Sequence, residues 1–260
     1  MLIKADNFTD SEIKNMRRAG QVIASLWRDF AGVIQAGMTG TETDAWFARE
    51  IKKRGARASY LDPDPDFPGV ICISVNDTVV HGVPNPTPFA KGDLVSLDLV
   101  VDVNGMKADS AYTYCVDEAP TGVKKMLLHE TQRSLYAGID AIKYHGGHGA
   151  EYVQVGDISK AVEKVLDRAG LGIVRDLVGH GIGREMHQEP DIPNYFDRRM
   201  NDRVPIENAI AVEPMATLGS YRVVQDPNGW DIRTADGSWA AHFEHTILLT
   251  PDGPEIITKI

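Results

Sequence analysis

The dipeptide Asn104-Gly105 is the feature of this 260-residue sequence that most constrains its fold. The apolar runs DLVSLDLVVDVNG and KADSAYTYCVD lie on either side of the turn that it marks. Both central residues of a type I′ turn need a positive φ angle, which asparagine and glycine tolerate better than other residues. The sequence therefore predicts a β-hairpin whose two arms are joined by a two-residue loop.

This hairpin brings two aspartates together. With a two-residue loop Asp98 pairs with Ala111, and strand alternation places Asp98 and Asp109 on the same face. They are diagonal neighbours, with backbones roughly 7–8 Å apart. Two carboxylates among valine and leucine side chains are costly unless they are neutralised, and one or two divalent cations would neutralise them. The alternative is that water covers this face and both aspartates are ordinary surface charges.

Helices are predicted in two pairs, one in each half of the chain. Thr9 and Glu12 form a capping box that begins a long amphipathic helix, whose apolar stripe ends near Gly37. The other predicted elements are a helix over about 41–55, a long helix from Pro120 to near His145, a shorter helix capped by Asp157 and closed by Gly170, and strands over 70–80, 171–179, 208–217 and 241–249.

Long helix, short helix and strands thus occur twice, at an offset of roughly 110–130 residues. Each half alone has too little sheet to close a core. We therefore predict a single α+β domain over residues 1–260, built of two halves related by a pseudo-two-fold axis, about 1–118 and 119–260. Because a helix pair followed by strands is a common order, coincidence is the alternative to a duplication.

Residue types that bind metals also occur in the second half. The segment GHGIGREMHQEP holds His180 and His187, seven positions apart on glycine-rich backbone, which suits a tight loop rather than a helical chelate. A buried, hydrogen-bonded histidine would explain either residue as well. Glu213 and Glu244 fall inside strongly apolar strand patterns, where glutamate is rare unless it is paired.

These candidate ligands favour particular metals. Carboxylates with one histidine match Mn²⁺, Fe²⁺, Co²⁺ or Zn²⁺ better than a thiolate site would. A shared cluster of this size fits two ions about 3.5–4 Å apart. The sequence therefore predicts a centre that binds two divalent ions, of unspecified identity.

Composition excludes several other classes of protein. The 37 acidic and 27 basic residues leave a formal charge of −10, which argues against binding nucleic acid or an anionic membrane surface. The first residues hold no apolar stretch for a signal peptide, and no run reaches the ~20 apolar residues of a membrane span. Two cysteines are too few for a disulfide framework. We expect a cytoplasmic protein, and a monomer because no exposed apolar stripe demands a partner.

Five motifs resemble those of the methionine aminopeptidases and occur in the same order: ISVNDTVVHGVP, SLDLVVDVNGMKADSA, GHGIGREMHQEP, AVEPM and FEHT. The resemblance runs from about Thr9 to the C-terminus. No long insertion separates His187 from Glu213 and no extra domain precedes the first helix, as in the type I, bacterial-style form. The resemblance implies the pseudo-symmetric pita-bread fold, an antiparallel sheet core with outer helices.

The resemblance also implies the roles of individual residues. The five residues that match the metal ligands of the family are Asp98, Asp109, His180, Glu213 and Glu244. Asp109 and Glu244 would bridge the two ions. Glu213 would also accept a proton from the attacking water. His187 would stabilise developing negative charge at the scissile carbonyl, and His81 would position the peptide or pass a proton to the leaving amine.

A pocket for the methionine side chain should be apolar and adaptable, because a thioether offers mainly dispersion contacts. Phe67, Cys72 and Trp230 match the residues that line this pocket in the family, although plain core packing would explain each of them too. Met186 stands where phenylalanine is common, and Asp64 stands where the family has an aromatic residue. Both departures bear on the shape of the pocket and its rim.

The implied activity is co-translational removal of N-terminal methionine from nascent polypeptides, with a preference for small second residues and transient proximity to the ribosome. One alternative is an Xaa-Pro aminopeptidase or prolidase on the same fold, although such enzymes usually carry an additional N-terminal domain. The other is a binding protein that has lost catalysis. Such a protein is expected to have lost ligands, whereas this chain has all five.

Overall fold

The computed structural model describes residues 1–61, 66–147 and 151–260. Within them the helices come in two pairs, as predicted, with strands after each pair. The helices are α1 (Asp10–Phe30), α2 (Gly40–Lys53), α3 (Gly122–Asp140) and α4 (Val155–Ala169), and short 3₁₀ turns cover Ser59–Leu61 and Arg198–Met200. None of the helices in these ranges is long and apolar enough to cross a membrane.

The strands are short except for the predicted hairpin. Those before α3 are β1 (Arg57–Ala58), β2 (Cys72–Val75), β3 (Thr78–Val80), β4 (Leu94–Val103) and β5 (Met106–Cys115). Those after α3 are β6 (Tyr144–His145), β7 (Tyr152–Gln154), β8 (Gly172–Ile173), β9 (Gly179–Ile182), β10 (Gln188–Ile192), β11 (Arg203–Pro205), β12 (Ala209–Val212), β13 (Met215–Thr217), β14 (Val223–Gln225), β15 (Ile232–Thr234), β16 (Ala240–His242), β17 (His245–Thr250) and β18 (Gly253–Ile256).

The hairpin of β4 and β5 is confirmed in its register and in its turn. Asp98 lies opposite Ala111, and the loop residues Asn104 and Gly105 have φ angles of 53° and 85°. The other edge of β4 pairs with β2 and β1, which makes a four-stranded sheet. The prediction succeeds because turn chemistry and strand alternation are both local properties of the sequence.

The second half forms a five-stranded antiparallel sheet in the order β10-β9-β12-β17-β18. Smaller three-stranded sheets accompany it, in the orders β11-β7-β6, β16-β13-β8 and β14-β15-β3. One hydrophobic cluster is built mainly from α1, α2 and the β4–β5 hairpin, and another mainly from α3, α4 and the strands of the second half. The α+β class is therefore confirmed.

Several predicted strands are divided in the structure, and the run over 70–80 separates into β2 and β3, which belong to different sheets. The run over 208–217 separates into β12 and β13, and the run over 241–249 into β16 and β17, because the chain passes between the five-stranded sheet and a three-stranded sheet at each break. Glu213 lies in the first break and Glu244 in the second. The prediction that both glutamates lie within strands is therefore wrong. Each of them lies where two strands separate. The run over 171–179 is likewise interrupted between β8 and β9.

Three helix boundaries also differ from prediction. Helix α1 ends at Phe30 rather than near Gly37, because the chain turns there and the amides of Val33 and Ile34 both donate to the carbonyl of Phe30. Helix α3 ends at Asp140, and His145 lies in β6. Asp157 does not cap α4 but lies in its first turn, where its carboxylate is 2.9 Å from Nε2 of His145.

Gly20 lets α1 pack directly on the C-terminal segment. A Cβ atom at this position would come within 2.3 Å of the carbonyl oxygen of Ile257, a backbone atom that cannot move aside cheaply. We expect Gly20→Ala to lower the free energy of unfolding by about 1–3 kcal/mol through overpacking. The matched control is Gly32→Ala, because the nearest atom there lies at 3.8 Å. Urea unfolding of both variants checks the prediction, and equal stabilities would contradict it.

Glu12 links the start of α1 to the loop that holds His187. Its carboxylate accepts hydrogen bonds from Nε and Nη2 of Arg184, at 2.6 and 2.9 Å, and from the amide of Thr9 at 2.8 Å. The hydrogen bonds from Arg184, followed by those from Thr9, lower the pKa of Glu12 from 4.5 to about 2. The charged form is therefore favoured in the folded protein.

Stability should consequently depend on pH through this carboxylate. Its contribution is complete above the ordinary pKa of 4.5 and is lost as the pH falls toward about 2. In Glu12→Gln the side-chain carboxamide can still accept a hydrogen bond from the amide of Thr9, but the negative charge is lost. We expect this variant to be less stable than the wild type at pH 6 and equally stable near pH 2. Urea titrations at both pH values measure this, with the exposed Asp252→Asn as the control, and a constant difference would refute the assignment.

Candidate metal centre

The five predicted ligands converge on one cavity of about 120 Å³, which His81, His187 and Tyr60 also line. Asp98 and Asp109 come from the hairpin, His180 comes from β9, and the two glutamates come from the breaks between strands. All five side chains are buried, with 2–9% of their surface exposed. The alternative of a wetted hairpin face is therefore wrong, because these carboxylates are in the interior.

Hydrogen bonds between β5 and the segment around Glu244 hold the two halves of the site together. The amide of Asp109 donates to Oγ1 of Thr246 at 2.8 Å, and that hydroxyl donates back to the carbonyl of Asp109 at 2.8 Å. The amide of Glu244 donates to the carbonyl of Ala111, and Oγ of Ser110 donates to the carbonyl of Glu244. The backbones that carry Asp109 and Glu244 are thereby fixed to each other.

His180 is held in one tautomer by its own neighbour in the chain. Its Nδ1 lies 2.9 Å from the carbonyl oxygen of Gly181, which can only accept, so Nδ1 carries the proton. Burial, followed by repulsion from His187, lowers the pKa of His180 to about 3 and keeps the ring neutral. Its Nε2 therefore presents a lone pair to carboxylate oxygens, at 3.4 Å from Oε1 of Glu213 and 3.9 Å from Oδ2 of Asp109.

Several carboxylate oxygens of the site lack a hydrogen-bond partner. Within the described residues no hydrogen bond reaches Oδ1 of Asp98, Oδ1 of Asp109 or Oε1 of Glu244. Burial, followed by repulsion from a neighbouring carboxylate, raises the pKa of Asp98, Glu213 and Glu244, and raises that of Asp109 to about 7. Buried acids that repel one another in this way stay ionised only if a cation joins them.

The donor set therefore fits a divalent metal. Ligand atoms of Asp109, His180 and Glu244 lie within 4.8 Å of one another, so a single ion could contact all three side chains. Oxygen ligands with one imidazole suit the divalent ions from Mn²⁺ to Zn²⁺. The residues that could hold such ions are the five that the sequence predicts.

Two further histidines stand at the edge of this cavity. The ring of His187 packs edge-on against that of His180, with centroids 4.2 Å apart, and is itself exposed. His81 follows β3 with a φ of 57°, a left-handed conformation that is unusual for a residue with a Cβ atom. Burial, followed by the proximity of His242 and His187, lowers the pKa of His81 to about 4, so its ring is neutral at pH 7.

A separate apolar cluster adjoins the metal centre. Its buried members are Tyr60, Phe67, Cys72, Val100 and Met186, and Val83 and Trp230 pack against them. The rings of Phe67 and Trp230 meet edge to face at 5.2 Å. Burial raises the pKa of the Cys72 thiol, which is therefore neutral. The three predicted pocket residues thus lie together, and Met186 lies with them. Asp64 lies outside the described residues.

Two residues of this region were not among the predicted ones. Tyr60 belongs to the apolar cluster and also lines the cavity, with its hydroxyl 3.5 Å from Oδ2 of Asp98. His242 is completely enclosed beside Glu213. The only signal for His242 in the sequence is a polar residue within the apolar run over 241–249. No sequence signal for Tyr60 distinguishes it from a core tyrosine.

The model of metallopeptidase family M24 matches residues 14–251, and the chain belongs to this family. Curated relatives carry the name methionine aminopeptidase. The one from Clostridium perfringens is 36% identical over 251 residues, covering 96% of this chain and 97% of the relative. The one from Aquifex aeolicus is 36% identical over 261 residues, covering 97% of this chain and 98% of the relative.

Solved structures agree with this assignment. The methionine aminopeptidase from Thermotoga maritima superposes with a TM-score of 0.89 at 36% identity, over 99% of this chain and 100% of that one. The prolidase from Pyrococcus furiosus gives a TM-score of 0.72 at 20% identity, and the matched region covers only 65% of its chain. The second likeness is one of fold alone. The pita-bread fold is thereby confirmed, and the Xaa-Pro alternative is not favoured.

Proposed function

We propose that this protein is a metalloaminopeptidase that removes the N-terminal methionine from polypeptides, preferring those with a small second residue. One observation carries the proposal: a cavity lined by five candidate metal ligands and two further histidines adjoins an apolar cluster that contains a neutral thiol. Such a site combines hydrolytic chemistry with an adaptable apolar surface that suits an unbranched thioether. The names of the relatives point the same way.

In the proposed centre Asp109 and Glu244 would be shared by two divalent ions, Asp98 would help to hold one ion, and His180 with Glu213 would help to hold the other. Bound divalent ions supply Lewis acidity and lower the pKa of water. Cobalt, manganese, iron and zinc all suit this donor set. The orphaned oxygens of Asp98, Asp109 and Glu244 support the assignment, since a cation supplies the partner that each of them lacks.

In this proposal, three side chains around the centre have different roles in hydrolysis. Glu213 accepts a proton from the attacking water, because its carboxylate lines the cavity in which that water would lie. His187, at the exposed edge, donates a hydrogen bond to the scissile carbonyl as negative charge develops. His81, held neutral by burial, positions the peptide or transfers a proton to the leaving amine.

The pocket residues determine which side chain is accepted. Phe67 and Trp230 form an edge-to-face wall, and Cys72 with Met186 supplies polarisable sulfur surface. An unbranched thioether can make dispersion contacts with all four of these side chains. A charged side chain would find no counter-charge in this cluster and would lose its hydration there.

We further propose that residues 1–260 form one catalytic domain with halves at about 1–118 and 119–260, which the two helix pairs and two hydrophobic clusters support. The protein would act in the cytoplasm as a monomer on the N-termini of nascent chains, transiently near the ribosome. Its formal charge of −10 argues against a stable nucleic-acid partner.

Peptide hydrolysis with and without chelator tests the proposed function. We expect the protein supplied with Mn²⁺, Co²⁺ or Fe²⁺ to release methionine from Met-Ala-Ser, to lose this activity after dialysis against chelator, and to regain it when metal returns. An Xaa-Pro peptide is the matched substrate control and should remain intact. Release of the residue before proline, without release of methionine, would replace the proposal with the prolidase alternative.

A further inference from the structure

His242 is a buried histidine beside the metal centre whose imidazole lacks partners. Its side chain is 1% exposed, and neither Nδ1 nor Nε2 has a hydrogen-bond partner among the described residues. A buried polar group left unpartnered costs about 1–3 kcal/mol. Such an arrangement needs an explanation from the surroundings of the ring.

The backbone of His242 is firmly held. It is the last residue of β16, opposite Met215 of β13, and lies two positions before Glu244. Its amide donates to Oγ1 of Thr113 at 3.0 Å, and the same hydroxyl donates to its carbonyl at 2.8 Å. These contacts come from β5, the strand that also carries Asp109. The hydrogen bonds between β5 and residues 242–246 therefore fix the position of this ring as well as those of Asp109 and Glu244.

The ring lies near the carboxylate of Glu213, at the other oxygen from the one that His180 approaches. Nε2 of His180 lies 3.4 Å from Oε1 of Glu213, and Nε2 of His242 lies 3.6 Å from Oε2. The two imidazoles are not equivalent, because the Nδ1 proton of His180 is committed to the carbonyl of Gly181. Nε2 of His180 is thus an acceptor, whereas no contact commits the proton of His242 to Nδ1.

We propose that His242 is a positioning residue for Glu213, donating a hydrogen bond from Nε2 to Oε2 and leaving Oε1 to face His180 and the metal. The separation of 3.6 Å is longer than a formed hydrogen bond, and hydrogen bonds of this kind often tighten only in the working complex. Outer partners of ligating carboxylates fix their orientation and raise metal affinity. The role assigned to Glu213 rests on the proposed function.

Three substitutions separate hydrogen bonding from packing. His242→Leu fills a similar volume without a donor. His242→Gln places an amide donor near the position of Nε2, whereas His242→Asn places it near that of Nδ1. Because Nε2 is the ring nitrogen near Glu213, the glutamine variant should retain the hydrogen bond to Glu213 that the leucine variant loses. The asparagine variant should not retain it. The readouts are Mn²⁺ affinity by calorimetry, kcat and KM with Met-Ala-Ser, and the unfolding temperature of the metal-free protein.

We expect the leucine and asparagine variants to lose about 10–100-fold in Mn²⁺ affinity or kcat, with little change in KM, and the glutamine variant to recover most of the loss. Wild-type values in the leucine variant would overturn the proposal. Equal losses in all three variants would also overturn it, since they would indicate packing alone. If the leucine variant does not fold, the comparison of glutamine with asparagine decides. If the wild type itself releases no methionine, the proposed function fails, while the calorimetry still tests His242.

Discussion

Glu213→Gln is expected to lower kcat by about 10²–10⁴-fold, the range that general acid–base catalysis contributes. The same change should reduce the metal content of the purified protein, because the neutral amide removes an anionic ligand from the cluster that Glu213 forms with His180. Metal analysis and peptide hydrolysis on one preparation measure both effects. Their joint loss would follow from the two proposed roles of a single carboxylate, as ligand and as proton acceptor.

The matched control is Glu185→Gln. Glu185 is exposed in the loop that carries His187, so its substitution removes one negative charge nearby without touching a ligand. Wild-type metal content and rate are expected for this control. If Glu213→Gln retained its full metal content and lost only rate, its part as a ligand would have to be abandoned.

A second large effect is expected for His187→Ala, in which kcat should fall by about 10²–10³-fold, the range for loss of one donor to developing negative charge. The metal content should stay unchanged. The ring of His187 packs against His180 at the exposed edge of the cavity, and its ligand atoms are not in the cluster of Asp109, His180 and Glu244. This separation of rate from metal content is the opposite of the pattern for Glu213→Gln.

His129→Ala serves as the comparison for His187→Ala. His129 is an exposed histidine on α3 whose Nδ1 lies 2.9 Å from Oε1 of Glu130, so its loss should leave both kcat and metal content as in the wild type. Metal analysis of purified His187→Ala that shows an empty centre would contradict the division of roles between the two kinds of histidine.

Local signals account for the parts of the fold that the sequence predicts well. Asn104-Gly105 and the alternation around it determine the register of the hairpin, and therefore the proximity of Asp98 to Asp109. The capping box at Thr9 and the left-handed Gly170 likewise act within one turn of helix. These features depend on neighbouring residues only, and the rest of the fold does not alter them.

Tertiary contacts account for the errors. Pro214, which cannot donate a ladder hydrogen bond, is a local signal for the break at Glu213. Nothing local marks the break at Glu244, which arises where the chain leaves one sheet for another. The end of α1 at Phe30 similarly reflects a turn that the continuing apolar stripe does not reveal. A periodic pattern shows that a segment is buried but not how far one regular element extends.

The candidate site divides in the same way. Residue types and motif order predict which side chains are candidate ligands, since metal chemistry restricts the choice to carboxylates and imidazoles. Tyr60 and His242 could not be predicted in this way, because their place in the candidate site depends on which side chains they lie near in the fold. The hydroxyl of Tyr60 comes near Asp98, and the ring of His242 faces Glu213, through contacts between segments distant in the sequence.

The hairpin supplies Asp98 and Asp109, whereas the chain beyond α3 supplies His180 and both glutamates. Cations that bind all of these residues bind only the folded arrangement, so their binding is thermodynamically linked to folding. A free metal concentration one hundred times the dissociation constant would add about 2.7 kcal/mol to the free energy of unfolding. The metal would thus act as a reversible cross-link between distant parts of the chain, and resistance to unfolding would follow the supply of the ion.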